Sequence, residues 1–275
     1  MNVGIGIIIA LAVIQGITEF FPISSSGHLV IAETLLGMRG GAARPGVVLE
    51  VAVHAGTLGA VIIFYRRKVL ELANALVALV VSGRRGALTH PAEIRYIGLV
   101  IVATIPAALI GGLFTAKVES VFDSAAATSL LLIATGIYLL LGRRPAARWG
   151  LTWRSALLIG LAQAVAILPG CSRSGWTIAT ALLLGVGFEQ AAEFSFILSI
   201  PAVVGALVLE LAKEHAAISS GDATHLVIGA VIALGTGLVA LRLLIGILTR
   251  GAFHRFAYYL LPVGAVLFVY FRFLS

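Results

Sequence analysis

The sequence predicts an all-α polytopic membrane protein with an inverted-topology repeat, and three observations support this class. Of the 275 residues, 60% are hydrophobic and only 11% are charged, and the mean hydropathy of +1.09 is too high for a soluble domain of this size. Several apolar runs approach the roughly 20 residues that a helix needs to cross a bilayer. Two short polar segments, residues 24–28 and 172–177, interrupt these runs at positions 148 apart.

The basic residues lie in short clusters between the apolar runs, and this placement predicts the topology. Cytoplasmic loops carry an excess of Lys and Arg, so the loops at 66–94, 143–154 and 247–256 are expected to face the cytoplasm. The net charge of +7 is therefore a topology signal and predicts no nucleic-acid partner. The first basic residue is Arg39, so the start of the chain lacks the positive region of a secretory signal peptide, and this segment is expected to be retained.

Placing these three loops on one side limits how the chain can cross the bilayer. Residues 1–37 and 155–187 must each return to the side on which they start, so each is predicted to be a re-entrant helix pair. Pro22 and Pro169-Gly170 mark the two breaks, because proline removes a backbone donor and glycine permits strained turns. The first basic loop is expected to hold a surface helix from Val69 to Val81. Six full spans remain, at about 47–65, 95–114, 125–142, 190–212, 223–246 and 257–274.

The two polar segments belong to a longer internal match. A shift of 148 positions pairs residues of the same kind, which predicts one membrane domain, 1–275, made of two related halves at about 1–142 and 155–275. Because the two re-entrant pairs enter from opposite sides in this topology, their tips are expected to meet near the bilayer midplane. The matched pairs are Gln15 with Gln163, Ser24 with Ser172, Ser26 with Ser174, and Gly27 with Gly175.

Gln15 and Glu19 are four residues apart at the end of the first apolar run, which places both on one helix face. Two oxygen-bearing side chains then point the same way, and a hard cation such as Mg2+ or Ca2+ takes oxygen ligands. The alternative is that Glu19 is a helix-end residue that reaches the membrane interface. Its position beside a polar break favours the functional interpretation.

The segment Ser24-Ser25-Ser26-Gly27-His28 offers hydroxyls and an imidazole. A serine hydroxyl can act as a nucleophile or donate to phosphate, and His28 can move a proton near neutral pH. The alternative is structural, because a serine at this point can cap the returning helix while His28 faces lipid headgroups.

The second segment adds a permanent positive charge. The guanidinium of Arg173 is a fork of donors suited to phosphate, and backbone N–H groups at a helix start would add to an anion site. The alternative is an arginine that snorkels to a lipid boundary. The hydroxyls expected to join Arg173 are those of Ser172, Ser174 and Thr177.

Two further polar pairs have a spacing of four residues, Glu50 with His54 and Glu189 with Glu193. They are interpreted as a paired structural brace for the re-entrant segments.

Residues 15–28, QGITEFFPISSSGH, and residues 169–177, PGCSRSGWT, resemble the two signatures of the undecaprenyl-diphosphate phosphatase family of the bacitracin-resistance type. The likeness covers essentially the whole chain. The first signature of this family begins with Glu or Gln, and this chain carries Gln15 there, so Glu19 is its only carboxylate at this signature.

The resemblance implies removal of the terminal phosphate from undecaprenyl diphosphate at the outer face of the bacterial inner membrane. The product is the monophosphate of this polyprenyl carrier lipid, which is recycled for cell-wall synthesis. The resemblance also implies a divalent cation, Mg2+ or Ca2+, and a cavity that opens to the outside, and it is compatible with a homodimer.

The candidate residues take three roles in this hypothesis. Attack on the terminal phosphorus comes from Ser25 or from a water activated by His28, and the sequence leaves both routes open. The expected catalytic residues are Glu19, Ser25, His28 and Arg173, the expected substrate-binding residues are Ser24, Ser26, Gly27, Ser172, Ser174 and Thr177, and the expected metal ligands are Glu19 and Gln15.

A second function class fits part of the pattern. Inverted repeats with broken helices are typical of transporters, so a polyprenyl-phosphate flippase that uses the same residues is the alternative. A structural membrane subunit is disfavoured because it needs no polar groups at the midplane.

Overall fold

The computed structural model describes residues 4–36, 47–113, 121–142, 150–213 and 220–274. Residues 143–149 of the predicted cytoplasmic loop at 143–154 lie outside these ranges, as does Arg39. Within them every regular element is a helix, which confirms the all-α class. The α-helices are α1 (Ile5–Thr18), α2 (Ser25–Leu35), α3 (Val47–Phe64), α4 (Arg66–Ser82), α5 (Arg84–Thr89), α6 (Pro91–Leu113), α7 (Ala125–Leu141), α8 (Trp153–Val165), α9 (Arg173–Leu183), α10 (Phe188–Lys213), α11 (Ser220–Thr249) and α12 (Ala257–Val269).

Each of the six predicted spans corresponds to a helix, namely α3, α6, α7, α10, α11 and α12. Counted by length and composition over the described residues, four stretches are long and apolar enough to cross a membrane. The bent pair of α3 and α4 makes a fifth if it is counted as one span, whereas α7 is apolar but has only 17 residues. These helices indicate a multi-pass membrane protein. The four stretches are Pro91–Leu113, Phe188–Leu209, Ala223–Thr249 and Phe253–Leu274.

α4 covers the helix expected at 69–81 and extends it at both ends. It leaves α3 at an angle of 86°. Among its described side chains only Ala75 is buried, whereas Leu70, Val77 and Val80 are exposed. Three basic residues at its start and an exposed apolar surface are typical of a helix that lies in a membrane interface.

Two pairs of short helices, α1 with α2 and α8 with α9, are broken where the sequence predicts. The breaks occupy residues 19–24 and 166–172, and they contain Pro22 and Pro169-Gly170. α2 begins at residue 25 and α9 at residue 173, so the helix starts follow the internal shift of 148.

Serine caps begin both returning helices. The Ser24 Oγ accepts a hydrogen bond from the Gly27 N–H at 3.2 Å, and the Ser172 Oγ accepts one from the Gly175 N–H at 3.1 Å. Each bond satisfies a donor that the first helical turn leaves unpaired. The capping alternative, which was stated for the first segment as Ser26 or a neighbour, is therefore confirmed with Ser24 as the cap. The cap at Ser172 was not predicted, and neither cap excludes a second role for the hydroxyls.

The backbone is unusual at one residue of each break. Ser24 has a φ of 72°, which is uncommon for a residue other than glycine and persists only where the surrounding structure holds it. Gly170 has a φ of 95°, and a Cβ atom there would lie 2.3 Å from the Thr128 carbonyl oxygen. Only glycine fits at this position.

Helices of the two halves interleave. α1 packs along α11, its counterpart α8 packs along α6, and α7 packs against α12. Glycines permit the close approach, because a Cβ at Gly16 or Gly160 would fall within 3 Å of a carbonyl oxygen on the facing helix. This packing brings the two breaks together.

Candidate active site

The tips of the two broken helix pairs are in direct contact. The Gly170 N–H donates to the Ser24 Oγ at 3.1 Å, so the serine that caps α2 also bonds the second break. The Ser174 Oγ in turn donates to the Phe21 carbonyl oxygen at 3.4 Å. Residues 146 and 153 positions apart therefore form one site.

The Glu19 carboxylate makes hydrogen bonds to residues next to both breaks. Its Oε1 accepts a hydrogen bond from the Arg173 Nη2 at 2.7 Å. Its Oε2 accepts bonds from the Ser25 Oγ at 2.6 Å and from the Gln15 Nε2 at 3.1 Å. The side chains of Glu19 and Arg173 are only 9% and 16% exposed, so this is a largely buried ion pair in which each charge depends on the other.

Arg173 is the first residue of α9, where free backbone N–H groups already favour an anion. Its Nη1 also donates to the Ser195 carbonyl oxygen at 3.5 Å. These bonds use two of the five N–H donors of the guanidinium, which leaves others for a phosphate. Because the Nη2 bond to Glu19 and the Nη1 bond to Ser195 both hold the guanidinium, its orientation is fixed before a ligand arrives.

A cavity of about 430 Å³ opens beside this ion pair. Its polar part is lined by residues of both breaks, and its other part is lined by small and apolar side chains of α6 and α10. A polar headgroup and the start of an apolar chain therefore find matching surfaces in one cavity. The polar lining includes Glu19, Ser24, Ser25, Ser26, Ser172 and Arg173, and the apolar lining includes Ala107, Ala108, Pro201, Ala202 and Ala206.

Three predicted substrate-binding residues support the tips instead of lining the cavity. Thr177 is fully buried, and its Oγ1 donates to the Arg173 carbonyl oxygen at 2.7 Å and bonds the Ser195 hydroxyl. Ser174 is also fully buried, and its hydroxyl bonds that of Ser172 at 3.2 Å. Gly27 packs closely against Gly170, because a Cβ on Gly27 would lie 3.0 Å from the Gly170 Cα. A direct role of these residues in substrate binding stays a prediction.

His28 does not line the cavity. Its Nδ1 is 2.8 Å from the Ser24 carbonyl oxygen, so this nitrogen carries the proton, and its Nε2 accepts from the Tyr259 hydroxyl at 2.9 Å. The two rings are stacked at an interplanar angle of 13°. To activate a water, the Nε2 would first have to leave Tyr259, whereas the Ser25 hydroxyl already bonds a carboxylate.

Four polar residues line the cavity that the sequence did not predict there, namely Thr18, His54, Thr104 and Gln163. The two threonine hydroxyls bond carbonyl oxygens of their own helices, so His54 and Gln163 are the two of interest. The His54 Nδ1 donates to the Glu50 carbonyl oxygen at 2.8 Å, so this hydrogen bond does not use the Nε2. From the sequence, the spacing of four residues between Glu50 and His54 did not predict that the His54 side chain faces the cavity. The match of Gln163 to Gln15 was the one available signal for the other residue.

The donor set suits a hard cation that arrives with phosphate oxygens. No group of three or more His, Cys, Asp or Glu side chains that could hold a metal occurs in the described part of the chain. Among the described residues Glu19 is the only carboxylate in the cavity lining, and the neighbouring Gln15 Oε1 is buried with no hydrogen-bond partner in that part of the chain. Mg2+ is often held by one or two carboxylates together with substrate phosphates, so the Glu19 carboxylate fits such an ion. Gln15 is fully buried outside the cavity lining, and its role as a metal ligand stays a prediction.

Comparison with known proteins places the chain in a family. The sequence profile of the family described as Bacitracin resistance protein BacA matches residues 8–266. An Undecaprenyl-diphosphatase of Desulfatibacillum aliphaticivorans is 39% identical over 272 residues, which cover 95% of this chain and 97% of the relative. Proteins of the same name from Rubrobacter xylanophilus and Methanobrevibacter smithii are 39% and 37% identical over at least 94% of each chain. This chain therefore belongs to the bacitracin resistance protein BacA family.

Proposed function

We propose that this protein removes the terminal phosphate of undecaprenyl diphosphate and releases undecaprenyl phosphate and inorganic phosphate. The observation that carries the proposal is the Glu19 carboxylate, which holds a serine hydroxyl from one break and an arginine from the other. Phosphoryl transfer requires a nucleophile next to a base and a fixed positive charge near the phosphate. Here these groups are the Ser25 hydroxyl, the Glu19 carboxylate and the Arg173 guanidinium. The names of the full-length relatives point to the same reaction.

In the first step of the proposed mechanism, the Ser25 oxygen attacks the terminal phosphorus while its proton passes to Glu19. The bond between this phosphorus and the bridging oxygen breaks, and the departing undecaprenyl phosphate takes the proton from Glu19. Arg173 stabilises the charge that develops on the transferred phosphoryl group. In the second step, water adds to the phosphoserine with loss of a proton to Glu19, and the Ser25 oxygen leaves and regains that proton.

Attack by a water that His28 activates is the second candidate route. The geometry favours Ser25, because its hydroxyl is 2.6 Å from the Glu19 carboxylate whereas the His28 Nε2 is bonded to Tyr259.

A divalent cation, Mg2+ or Ca2+, completes the proposed site. Glu19, with Gln15 beside it, would hold the cation. When bound, the cation would neutralise part of the diphosphate charge.

The proposed topology has six full spans and two re-entrant pairs in a bacterial inner membrane, with the cavity open to the periplasm. It is supported by a helix at each of the six expected spans, by the two broken pairs and by helix starts that follow the shift of 148 positions. The halves at about 1–142 and 155–275 are proposed to be inverted repeats, which the paired packing of α1 on α11 and of α8 on α6 supports. A homodimer is compatible with this arrangement.

Phosphate release by the purified protein in detergent tests the function. Undecaprenyl diphosphate should give inorganic phosphate in the presence of Mg2+ or Ca2+, and a chelator should stop the release. A flippase needs two compartments to show activity and releases no phosphate, so transport of the lipid across vesicles without hydrolysis would replace the proposal with the transporter. The close contact of Ser25 with Glu19 favours the hydrolase, because a transporter needs no activated nucleophile.

A further inference from the structure

Gln163 is a buried polar side chain with no visible partner. It is 3% exposed, and among the described residues neither its Nε2 nor its Oε1 makes a hydrogen bond. Native proteins pair nearly all buried polar groups, because an unpaired one retains the full penalty of leaving water. Gln163 also lines the same cavity as Ser172 and Arg173. The unpaired amide is thus buried in the wall of the cavity that would hold a ligand.

The internal match explains why this amide has no partner among the described residues. Its counterpart Gln15 donates to the carboxylate of Glu19, four residues further along the chain. The position four residues after Gln163 is Ile167, whose side chain has no hydrogen-bond acceptor. The two halves therefore carry the same glutamine, but only the first half supplies a partner for it.

The chemistry of the cavity indicates what fills this gap. The neighbouring lining residues Ala166 and Ile167 are apolar, so they give a trapped water few of the polar partners that it needs. A diphosphate has oxygens on both of its phosphates, and the single arginine cannot reach all of them with its fork. The two N–H groups of an amide supply neutral donors for the remaining oxygens.

We propose that Gln163 is a further substrate-binding residue, whose Nε2 donates to a diphosphate oxygen of the bound lipid. The inference rests on the proposed function, and it assigns to α8 a direct part in holding the headgroup. Gln163 holds the substrate in place for attack and takes no part in proton transfer.

The variant Gln163→Leu tests this assignment, because leucine has a similar volume and no polar atom. We expect kcat/KM for undecaprenyl diphosphate to fall by about 10- to 100-fold, the range for a lost hydrogen bond to a charged group. The melting temperature should stay equal or rise, because the variant removes an unpaired buried amide. A glutamine with a structural role would instead give a lower melting temperature and an unchanged kcat/KM.

Gln190→Leu is the matched control, because Gln190 is exposed on α10 and does not line this cavity. It should keep the wild-type kcat/KM. If Gln163→Leu does not fold, Gln163→Asn retains the amide on a shorter side chain and should show the same fall in kcat/KM with the fold intact.

Binding of methylenediphosphonate, measured by calorimetry, separates this inference from the proposed function. Wild-type protein should bind this non-hydrolysable diphosphate at least about 10-fold more tightly than Gln163→Leu does. Equal affinities and equal kcat/KM values in a folded variant would overturn the assignment of Gln163. Absence of phosphate release from wild type would overturn the function, and the binding comparison would still decide the role of Gln163.

Discussion

At the scale of single residues, the site depends on how Glu19 divides its two oxygens. One oxygen bonds Arg173 from the second half of the chain, and the other bonds Ser25 from the first half. The carboxylate thus orients the Ser25 hydroxyl and the Arg173 guanidinium together, and loss of the guanidinium would leave the buried carboxylate without its counter-charge. The next two predictions test these two partners.

Ser25→Ala removes the proposed nucleophile and should lower kcat by about 1,000-fold or more, because the phosphoserine route is closed. Stability should change little, since the Glu19 carboxylate keeps its bonds to Arg173 and Gln15. Steady-state phosphate release measures the rate, and mass spectrometry after an acid quench should find phosphate on Ser25 of the wild type. Wild-type rates in the folded variant would exclude Ser25 as the nucleophile.

Arg173→Lys keeps the charge but loses the planar fork, and should lower kcat/KM by about 100-fold with the fold intact. Arg95→Lys is the matched control, because Arg95 donates to the Leu151 carbonyl oxygen outside the cavity. That control should retain activity. Equal activity in the two variants would show that a point charge suffices at position 173.

The sequence predicted which residues meet at this site but not every side chain that faces it. Glu19, Ser25 and Arg173 were recognisable because burying charged and hydroxyl side chains at membrane depth costs free energy. Such residues are therefore typical of a functional site. His54 and Gln163 were not placed in the cavity, because their exposure to it depends on how α3, α6 and α8 pack. Sequence spacing does not encode that packing.

At the scale of elements, the two breaks act as one unit because each fixes the backbone of the other. Gly170 occupies a left-handed conformation and donates its N–H to Ser24, which itself has a positive φ. The starts of α2 and α9 were predictable from proline, glycine and the internal match. A break between α3 and α4 was also expected, because the basic residues 66–68 interrupt the apolar pattern, but the bend of 86° was not, because sequence spacing does not set the angle between two helices.

Gly170→Ala should destabilise the protein by about 2 kcal/mol or more, because the new Cβ must clash with the Thr128 carbonyl oxygen at an unfavourable φ. Gly235→Ala is the matched control inside α11, where a Cβ meets nothing within 4 Å. That change should be neutral or stabilise the protein by about 0.5–1 kcal/mol. Thermal unfolding in detergent measures both, and equal melting temperatures would show that the break at 166–172 is not constrained as described.

At the scale of the whole molecule, interleaved packing of the two halves produces a cavity that neither half contains alone. The polar groups come from both breaks, and the apolar side comes from α6 and α10. A cavity with one polar side and one apolar side suits a lipid substrate. The polar side can bind its headgroup, and the apolar side can contact the start of its tail. The sequence predicted the two halves, whereas the shape of the cavity required the packing of the helices.

Ala206→Phe should narrow the apolar side of the cavity and discriminate between substrates by tail. We expect the KM for undecaprenyl diphosphate to rise by about 10-fold, and the KM for farnesyl diphosphate to rise less, because fewer isoprene units meet the new ring. Val204→Phe is the control on the same helix, because Val204 is 43% exposed and does not line the cavity. An equal rise in KM for both substrates would place the tail elsewhere.

The central claim is that residues from both halves of the chain form one hydrolytic site. The initial rate of phosphate release from undecaprenyl diphosphate by the purified protein tests this claim most directly. We expect release by wild type and a loss of activity in both Ser25→Ala and Arg173→Lys, although these residues lie 148 positions apart. Absence of release from wild type, or release that either folded variant leaves unchanged, would contradict the account.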